Sequence, residues 1–255
     1  MGRLADGDSE ARRQRRLPGG AGAADFSEAL ARGLTVLSAF GAGRPRFTQA
    51  ELARELGLSR ATVRRAVLTL EHLGYLAADG RSYELTPRVL RLAAGYLNSS
   101  PVAAVLQPVC DRISGELGEA CSVAVLDGAD ALIVARAVPH RLIAVGSDIG
   151  YRTPAAISSL GKVLLAHPAP GKRTAAPLPP EAVLARIRED GFSYVAHDVE
   201  MGSHSIAVPL RRRDGRVVAA LHVGCTVERI APETMHGAVL SLLNDAASEL
   251  REQLL

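Results

Sequence analysis

Three arginines whose spacing suits recognition of a nucleic acid lie close together at Arg60, Arg64 and Arg65. If this segment is a helix, Arg64 and Arg65 lie opposite its apolar side and Arg60 lies near its start. An arginine fork can donate two hydrogen bonds to guanine O6 and N7 in the major groove of DNA. Ala61 and Thr62 are short and would let such a helix approach the bases. The alternative is that these arginines only solvate an exposed helix face.

Local signals predict two short helices around a tight turn in this region. Thr48 is a suitable N-cap, and Glu51 follows at the spacing of a capping box. Gly57 can end the first helix because glycine adopts a positive φ at little cost, and Ser59 can cap the second. The apolar residues of the second helix recur at helical spacing at Val63, Ala66, Val67, Leu70 and Leu73. This pattern is that of a helix-turn-helix, whose second helix enters the major groove.

A hairpin is predicted directly after these helices. Residues 74–85 place an Asp79-Gly80 turn signal between two short apolar runs. Beside a helix-turn-helix such a hairpin is a wing, and Arg81 at its tip is a candidate phosphate or minor-groove contact or, equally, a solvated turn arginine. Hydroxyls and amides at the start of the second helix can hold a phosphate. The candidate DNA contacts are Thr48, Gln49, Ser59, Arg60, Ala61, Thr62, Arg64, Arg65 and Arg81.

Positive charge is concentrated in the half of the chain that carries these motifs. Residues 1–100 hold 15 Arg and no Lys against 10 acidic residues, whereas residues 101–255 hold 15 basic against 17 acidic residues. Attraction to a polyanion requires such clustering. A length of 255 residues with 47% hydrophobic residues suits two modest domains, each with its own core.

The sequence also indicates a compartment. No stretch approaches the apolar length of a membrane span, and the N-terminus lacks the apolar region of a signal peptide. Cys110, Cys121 and Cys225 show no CxxC spacing, which fits a reducing environment and argues against a disulfide framework or a zinc finger. We therefore expect a cytoplasmic chain without membrane association.

No motif predicts catalysis, a metal site or a cofactor. The run Gly202-Ser203-His204-Ser205 is not the GxSxG nucleophile elbow. The histidines show no HExxH pattern, and Gly41-Ala42-Gly43 lacks the rest of a dinucleotide fingerprint. The chain is therefore expected not to be an enzyme.

The chain is expected to have four segments. Residues 1–24 are small, charged and glycine-rich, which predicts a disordered tail whose arginines add loose DNA affinity or are merely solvated. Residues 25–86 form the winged helix-turn-helix domain. Residues 87–100 form a helix that links the domains or docks on its own domain. Residues 101–255 interleave helices with strands joined by hairpins, which predicts an α+β fold with a mainly antiparallel sheet.

Three finer expectations concern the second domain. Pro108 lies within a helical pattern and should kink or split that helix. Residues 141–146 suggest a further strand. Residues 167–180 are rich in Pro, Ala and Gly, which indicates a mobile loop.

Several blocks in this order resemble the IclR family of bacterial transcriptional regulators over about residues 25–255. The blocks include DFSEALARGLTVLSAF, LSRATVRRAVLTLEHLGYL, CSVAVLDG, GYRTPAAISSLGKVLLA and SIAVPLRRRDGRVVAALHVG. RATVRRAVLTL, PAAISSLGKVLLA and EMGSHSIAVPL are most similar to the branch that controls catabolism of aromatic acids such as protocatechuate and 4-hydroxybenzoate. The resemblance implies a winged helix-turn-helix, a linker helix and a GAF-like effector-binding domain. It also implies homodimers or homotetramers on palindromic or repeated double-stranded operators.

The resemblance further implies a pocket for a small organic acid on one side of the second domain's sheet. By position its candidate residues are Arg152, Thr153, Ser158, Gly161, Ser205, His222 and Gly224. The segments 166–181 and 194–202 look shorter than the family pattern, so the effector can differ from the usual aromatic acids of the branch.

Each effector candidate also has a structural alternative. Arg152 suits a carboxylate because its guanidinium can bind it with two hydrogen bonds, but a surface arginine or an internal salt bridge is the alternative. Ser158 can hold an anion at a helix start or act as a plain N-cap. His222 and Gly224 share a strand face, and His222 and the neighbouring Ser205 can serve a ligand or the fold alone.

The sequence therefore predicts a ligand-responsive DNA-binding regulator. The alternative is an enzyme or small-molecule sensor that uses the GAF-like domain, with DNA binding lost or secondary. An architectural DNA-binding protein without an effector is a third possibility, but it would not need the large second domain.

Overall fold

The computed structural model divides the chain into two units, with the division in sequence between Ala94 and Gly95. That division falls inside the segment 87–100, which was predicted as a linker. Each unit has its own hydrophobic core, as the length and composition predict.

The described residues leave out some predicted segments. The disordered tail expected at 1–24 and the strand expected at 141–146 lie outside them, as does most of the loop expected at 167–180. The structure describes residues 26–41, 44–99, 101–139, 149–168, 178–197 and 201–254.

The first unit combines helices with a small antiparallel sheet. Its elements are α1 (Glu28–Leu37), β1 (Arg46–Thr48), α2 (Gln49–Leu56), α3 (Arg60–His72), β2 (Leu76–Asp79) and β3 (Ser82–Leu85). Strand β3 lies between β1 and β2, and Gly80 turns the β2–β3 hairpin at a φ of 62°. The core residues are Val36, Phe40, Phe47, Leu52, Val63, Val67 and Leu76.

The predicted boundaries of the two central helices are confirmed. Thr48 and Glu51 form a reciprocal capping box at the start of α2. Gly57 ends α2 in the left-handed conformation, at a φ of 63°. Ser59 then caps α3. These local bonds satisfy backbone groups that helix ends leave unpaired, so the short turn between α2 and α3 is fixed by its own sequence.

The second unit is built on a six-stranded sheet. A 3₁₀ turn at Pro87–Val89 follows the wing, and the next helix, Leu90–Ser99, contains the division between the two units. The remaining helices and strands belong to the second unit. From this helix on, the elements in chain order are α4 (Leu90–Ser99), α5 (Pro101–Leu117), β4 (Ala120–Asp127), β5 (Asp130–Ala137), β6 (Arg152–Pro154), α6 (Ser159–Ala166), α7 (Glu181–Asp190), β7 (Ser193–Ala196), β8 (Ser203–Arg211), β9 (Val217–Thr226), α8 (Pro232–Thr234), a π-helical turn (Met235–Val239) and α9 (Leu240–Arg251).

The sheet has the order β6-β5-β4-β9-β8-β7, and every pairing within it is antiparallel. One face packs against α5 and α9, with Val123, Leu221 and Val223 fully buried between them. The other face packs against α6, over Ala124 and Ala220, and α7 packs on α6. The predicted α+β class with an antiparallel sheet is confirmed.

Helix α5 runs through Pro108 without interruption, so the predicted split of this helix is wrong, and the alternative of a kink stays a prediction. Leu106, Cys110 and Ile113 lie before and after the proline, and all are fully buried in the same core. Packing of one apolar stripe on the sheet therefore outweighs the hydrogen bond that proline removes.

Candidate DNA-binding and effector-binding sites

Helix α3 divides its residues between a buried and an exposed face. Val63 and Val67 are fully buried in the core of the first unit. Arg60, Arg64 and Arg65 are all exposed. The helix therefore carries a cationic face that the described residues of its own unit leave exposed.

These arginines differ from others of the same unit in their lack of acidic partners. Arg44 contacts Glu51 at 2.7 Å, and Arg46 contacts Glu84 at 2.9 Å. Among the described residues, the guanidinium groups of the three α3 arginines and of Arg81 have neither an ion pair nor a hydrogen bond. A hydrated guanidinium without a counter-ion is suited to pair with phosphate or guanine.

The start of α3 carries small hydroxyl side chains. Ser59 Oγ accepts a hydrogen bond from the Thr62 amide at 3.2 Å and lies 2.9 Å from Thr62 Oγ1. Both hydroxyls thus take part in the cap, while Ala61 beside them is exposed. A phosphate at this helix start would meet backbone amides and hydroxyl groups.

The other two DNA-contact candidates hold the domain together. Thr48 takes part in the capping box. Its backbone N–H donates to the Glu51 carboxylate, and this hydrogen bond is the main reason why the pKa of Glu51 lies below its usual value. Gln49 Nε2 donates to the hydroxyl of Tyr83 on β3 at 3.0 Å. These contacts join the first helix of the motif to the wing, so a DNA contact by either side chain would be additional to a structural role.

The second candidate site is a row of side chains across the sheet of the second unit. Arg136 on β5 is paired with Ser122 on β4. Ser122 is in turn paired with His222 on β9, and His222 with Ala207 on β8. Directly paired residues project from the same face. Since Ala207 belongs to the core under α6, this row lies on the α6 side. Arg136 Nη1 donates to Ser122 Oγ at 2.9 Å.

A β-bulge places Arg136 on this face. Val123 pairs with Ala135 and the next residue of β4 pairs with Ile133, so Val134 is the extra residue. Ala131 lies in the α6-side core, and simple alternation from there would turn Arg136 to the opposite face. The bulge reverses the alternation and brings the guanidinium over Ser122.

The backbone of Arg136 is held by a side chain of α5. Gln107 Nε2 donates to the Arg136 carbonyl at 2.8 Å, and the Arg136 amide donates to Gln107 Oε1 at 3.2 Å. One amide side chain thus satisfies both backbone groups, as a paired strand would. This contact fixes the end of β5 from which the arginine projects.

Serine hydroxyls continue the polar surface toward β8. Ser205 is paired with Gly224 on β9, and its Oγ lies 2.8 Å from the Oγ of Ser159, the first residue of α6. A Cβ atom on Gly224 would lie 3.2 Å from His222 Nε2. The sequence-predicted residues Ser205, His222 and Gly224 are therefore neighbours on one face, next to the start of α6.

Ser158 and Gly161 lie at the same helix start and already have structural roles. Ser158 Oγ accepts a hydrogen bond from the Gly161 amide at 3.1 Å as the N-cap of α6. A Cβ atom on Gly161 would overlap the backbone of Ala155. Glycine at this position therefore lets α6 lie directly on the loop before it.

Arg152 and Thr153 are placed differently from the other effector candidates. Arg152 is exposed at the sheet edge, and its guanidinium contacts Asp127 at 2.8 Å and Asp130 at 3.0 Å. Thr153 is buried and paired with Ala131, so it lies on the α6 face. The alternative of a salt-bridged Arg152 matches these contacts, and its effector role stays a prediction.

His222 is held in its neutral form. Burial, followed by the positive charge of Arg136, lowers the pKa of His222 to about 4, against the opposing influence of the Ser122 and His222 carbonyls. His222 as a whole residue is half-buried, but its Nδ1 is fully buried and has no hydrogen-bond partner in the described part of the chain. An unpaired buried polar atom costs about 1–3 kcal/mol, so a partner for it would be stabilising.

Sequence reasoning missed Arg136, Ser122 and Ser159. Arg136 did leave a signal, because it is the one charged residue in the apolar run ALIVARAV. A charge inside such a strand either pairs or lines a site. Ser122 and Ser159 left none, since serine occurs at many such positions and only the strand register brings them together.

Other site classes find no support in the described residues. These contain no group of three or more His, Cys, Asp or Glu side chains that could hold a metal ion. No described helix combines the length and apolarity needed to cross a membrane. Cys110, Cys121 and Cys225 are free thiols.

Two family models match the chain. The IclR helix-turn-helix domain matches residues 29–80, which include α2, α3 and the first wing strand, β2. The bacterial transcriptional regulator IclR C-terminal domain matches residues 94–179 and 176–252. The matched regions cover both units.

Relatives and solved structures agree with these matches. The Pca regulon regulatory protein of Pseudomonas putida is 39% identical over 90% of this chain and 85% of its own length. The p-hydroxybenzoate hydroxylase transcriptional activator of Acinetobacter baylyi is 32% identical over 89% of this chain and 92% of its own. A crystal structure of an IclR homologue from Microbacterium hydrocarbonoxydans, complexed with 4-hydroxybenzoate, has a TM-score of 0.72 at 26% identity, covering 89% of this chain and 99% of that one. These are regulators rather than enzymes, and the chain belongs to the IclR family of bacterial transcriptional regulators.

Proposed function

We propose that this family member is a DNA-binding regulator of aromatic-acid catabolism genes that responds to a small aromatic acid. The observation that carries DNA binding is the face of α3, where Arg60, Arg64 and Arg65 are exposed without acidic partners in the described residues. Two bidentate arginine contacts to guanine contribute about 1–3 kcal/mol each to base discrimination. A regulator acting on bacterial DNA works in the cytoplasm.

The aromatic acid is supported by the relatives and by the chemistry of the sheet face. Two regulators at least 32% identical to the chain are named for the Pca regulon and for p-hydroxybenzoate hydroxylase. A homologue binds 4-hydroxybenzoate. In this chain, a cationic side chain and several hydroxyls lie on the face where the family resemblance implies the pocket, which suits a ligand with a carboxylate and a hydroxyl group.

The residues proposed for each role follow from the sequence prediction. For DNA they are Thr48, Gln49, Ser59, Arg60, Ala61, Thr62, Arg64, Arg65 and Arg81. For the effector they are Arg152, Thr153, Ser158, Gly161, Ser205, His222 and Gly224. The capping roles of Thr48, Ser59 and Ser158 are compatible with a ligand contact, because their hydroxyls have further acceptor capacity.

The regulator is proposed to act as a homodimer or homotetramer on palindromic or repeated operators. Effector binding must favour one arrangement of the DNA-binding domains over another, because a ligand with equal affinity for both arrangements shifts nothing. The segment 87–100 joins the two units and is the element through which this preference would pass.

A gel-shift titration tests the proposal directly. Full-length protein is mixed with promoter fragments from aromatic-acid catabolism genes, with and without 4-hydroxybenzoate or protocatechuate. We expect a specific shift that competitor DNA of unrelated sequence does not remove, and a midpoint that either acid moves. No shift of any fragment at low salt would refute DNA binding, and a shift insensitive to every aromatic acid would refute the effector class.

A further inference from the structure

The residues around the start of the segment 87–100 are bonded to the end of α3. Helix α3 ends in a Schellman turn, in which the Gly74 and Tyr75 amides each donate at 2.8 Å to carbonyls of the last helical turn. Gly74 suits this turn because its φ is 77°. The Gly74 carbonyl then accepts a hydrogen bond from Thr86 Oγ1 at 2.5 Å. The residue just before the segment is therefore tied to the turn that ends the arginine-bearing helix.

Thr86 makes this connection with its backbone as well as its side chain. Its amide donates to the Tyr75 carbonyl at 3.0 Å, which continues the pairing of β2 with β3 beyond Leu76 and Leu85. Its Oγ1 also accepts from the Arg88 amide at 3.3 Å and so caps the 3₁₀ turn that follows. One residue thus joins the base of the wing, the end of α3 and the first turn of the segment.

Arg88 adds a second contact from within the segment. Its guanidinium carbon lies 5.6 Å from the centre of the Tyr75 ring, within the range of cation–π attraction. A Cβ atom on Gly74 would lie 3.1 Å from Arg88 Nη1, so the guanidinium lies close against the turn. Arg91 offers a contrast, because it is exposed and makes no hydrogen bond or ion pair with another described residue.

We propose that the contacts of Thr86 and Arg88 with Gly74 and Tyr75, here called the α3 joint, carry the effector response to the DNA contacts. This inference rests on the aromatic-acid response proposed above and names the positioning residues through which it acts. A preference for one arrangement of the domains reaches α3 only if the connecting segment is fixed to the unit that bears α3. A free hinge at residues 86–88 would absorb that preference, and the two ligands would then not be coupled.

The place of the α3 joint favours a large effect at the DNA contacts. Helix α3 has 13 residues, which makes it about 20 Å long at about 1.5 Å per residue. The joint lies at its C-terminal end, whereas Ser59 and Arg60 lie at its start. A rotation of the unit by about 10° about the joint would move that start by about 3.5 Å, as estimated from this length. Hydrogen bonds need donor–acceptor distances of about 2.7–3.2 Å, so such a movement would break base contacts.

A joint that only stabilises the fold would behave differently from one that transmits. Loss of a stabilising contact lowers the free energy of unfolding but leaves the effect of the acid on operator affinity unchanged. Loss of a transmitting contact changes that effect while each ligand still binds alone. The decisive quantity is therefore the coupling ratio, the operator dissociation constant with the acid divided by that without it.

The test measures the coupling ratio of the full-length protein by fluorescence anisotropy. The labelled DNA is the promoter fragment found by gel shift, and the acid is saturating 4-hydroxybenzoate or protocatechuate. In typical allosteric proteins the ratio differs from one by about 5- to 150-fold, and in Thr86→Val/Arg88→Gln it should come at least about threefold closer to one. Operator binding without acid, and acid binding followed by calorimetry, should stay close to wild-type values.

Matched variants control for the loss of a hydroxyl and of a charge. Thr35 is also a threonine of the first unit, but its hydroxyl donates to the Ala31 carbonyl within α1 at 2.9 Å. Thr35→Val and Arg91→Gln should therefore keep the wild-type coupling ratio. Thr86→Ser retains the hydroxyl that bonds to Gly74 and should also keep the ratio, whereas Thr86→Val should not.

The possible results separate this inference from the proposed function. A wild-type coupling ratio in Thr86→Val/Arg88→Gln would overturn the inference, even if the thermal unfolding midpoint fell. An equal loss of coupling in Arg91→Gln would also overturn it, because any change in the segment would then act. If the double variant loses operator binding without acid, the two single variants are measured, and wild-type ratios in both would overturn the inference. A wild type whose operator affinity ignores both acids would refute the proposed response, and the inference with it.

Discussion

The arginines of α3 and the arginine of β5 occupy opposite kinds of surroundings. Arg60, Arg64 and Arg65 project from a short, capped helix, and their guanidinium groups make no hydrogen bond or ion pair with another described residue. Arg136 lies on the sheet face that α6 covers, in a row with Ser122 and His222. The first set is open to solvent, whereas the second is half-buried among other side chains.

This difference suits the two ligands. A DNA duplex cannot enter a pocket, so its contacts must stand on an open surface, and strength comes from the number of charges that it meets. A small acid offers one charge, so the protein must add fixed donors and partial burial to bind and distinguish it. Changes at the open surface should therefore alter binding and little else, whereas changes at the covered one should also alter stability.

The largest expected effect is on DNA affinity. Replacing Arg60, Arg64 and Arg65 together by Ala should weaken operator binding by about 3 kcal/mol or more, because bidentate base contacts contribute about 1–3 kcal/mol each. The dependence of log K on log salt should also become shallower. Fluorescence anisotropy with a labelled operator at several salt concentrations measures both.

The control is Arg32→Ala, which removes an arginine of α1 that is paired with Glu28 at 2.8 Å. This variant should keep both operator affinity and salt dependence. The free energy of unfolding should hardly change in the triple variant. Unaltered affinity in that variant would remove α3 from the binding surface.

The next effect should appear at the covered surface as a loss of stability. In Gly161→Ala the new Cβ would overlap the backbone of Ala155, which should cost about 1–3 kcal/mol, as overpacking does elsewhere. Gly115 lies on α5, and in the matched change Gly115→Ala the new Cβ atom has no described neighbouring atom within 4 Å. That change should be neutral or gain up to about 1 kcal/mol of helix propensity.

Urea unfolding followed by circular dichroism compares these two variants. Equal stabilities would show that α6 can move off the loop before it without cost. Operator binding without effector should survive in both variants, because neither glycine lies in the first unit.

The smallest effect concerns pH. The pKa of His222 is lowered to about 4 from 6.5, so the unfolded chain binds a proton at this residue before the folded chain does. Stability should therefore be highest above pH 6.5 and decline as the pH falls toward 4, by less than about 1.4 kcal/mol per pH unit for this one group. Guanidinium groups do not titrate in this range, so the α3 surface itself should not change.

His222→Asn should make that decline shallower. Burial also lowers the pKa of His167 and of His204, so part of the pH dependence should remain in the variant. Unfolding free energies at pH 7.5, 5.5 and 4.5 provide the comparison, with identical pH profiles as the result that would contradict it.

The two surfaces also differ in how far the sequence predicts them. The helix-turn-helix is specified by neighbours in sequence: Thr48 with Glu51, Gly57 in the turn, and Ser59 before α3. Each acts within a few residues, so its capping pattern can be read without knowledge of the fold. The structure confirms these boundaries.

The sheet face depends on contacts that the sequence does not display. Ser122 and Arg136 meet only because β4 and β5 pair in a shifted register, and His222 joins them from a strand much later in the chain. Family resemblance placed His222 and Ser205 on one side of the sheet. It could not place Arg136, because strict alternation along β5 would put that side chain on the face of the sheet opposite α6.

The irregularity at Val134 has a consequence for comparing related chains. A relative lacking one residue at this point would pair straight with β4 and still present the residue matching Arg136 on the α6 face, because its partner on β4 is unchanged. Counting residues along β5 from Ala131 without regard to the bulge would instead assign Arg136 of this chain to the opposite face.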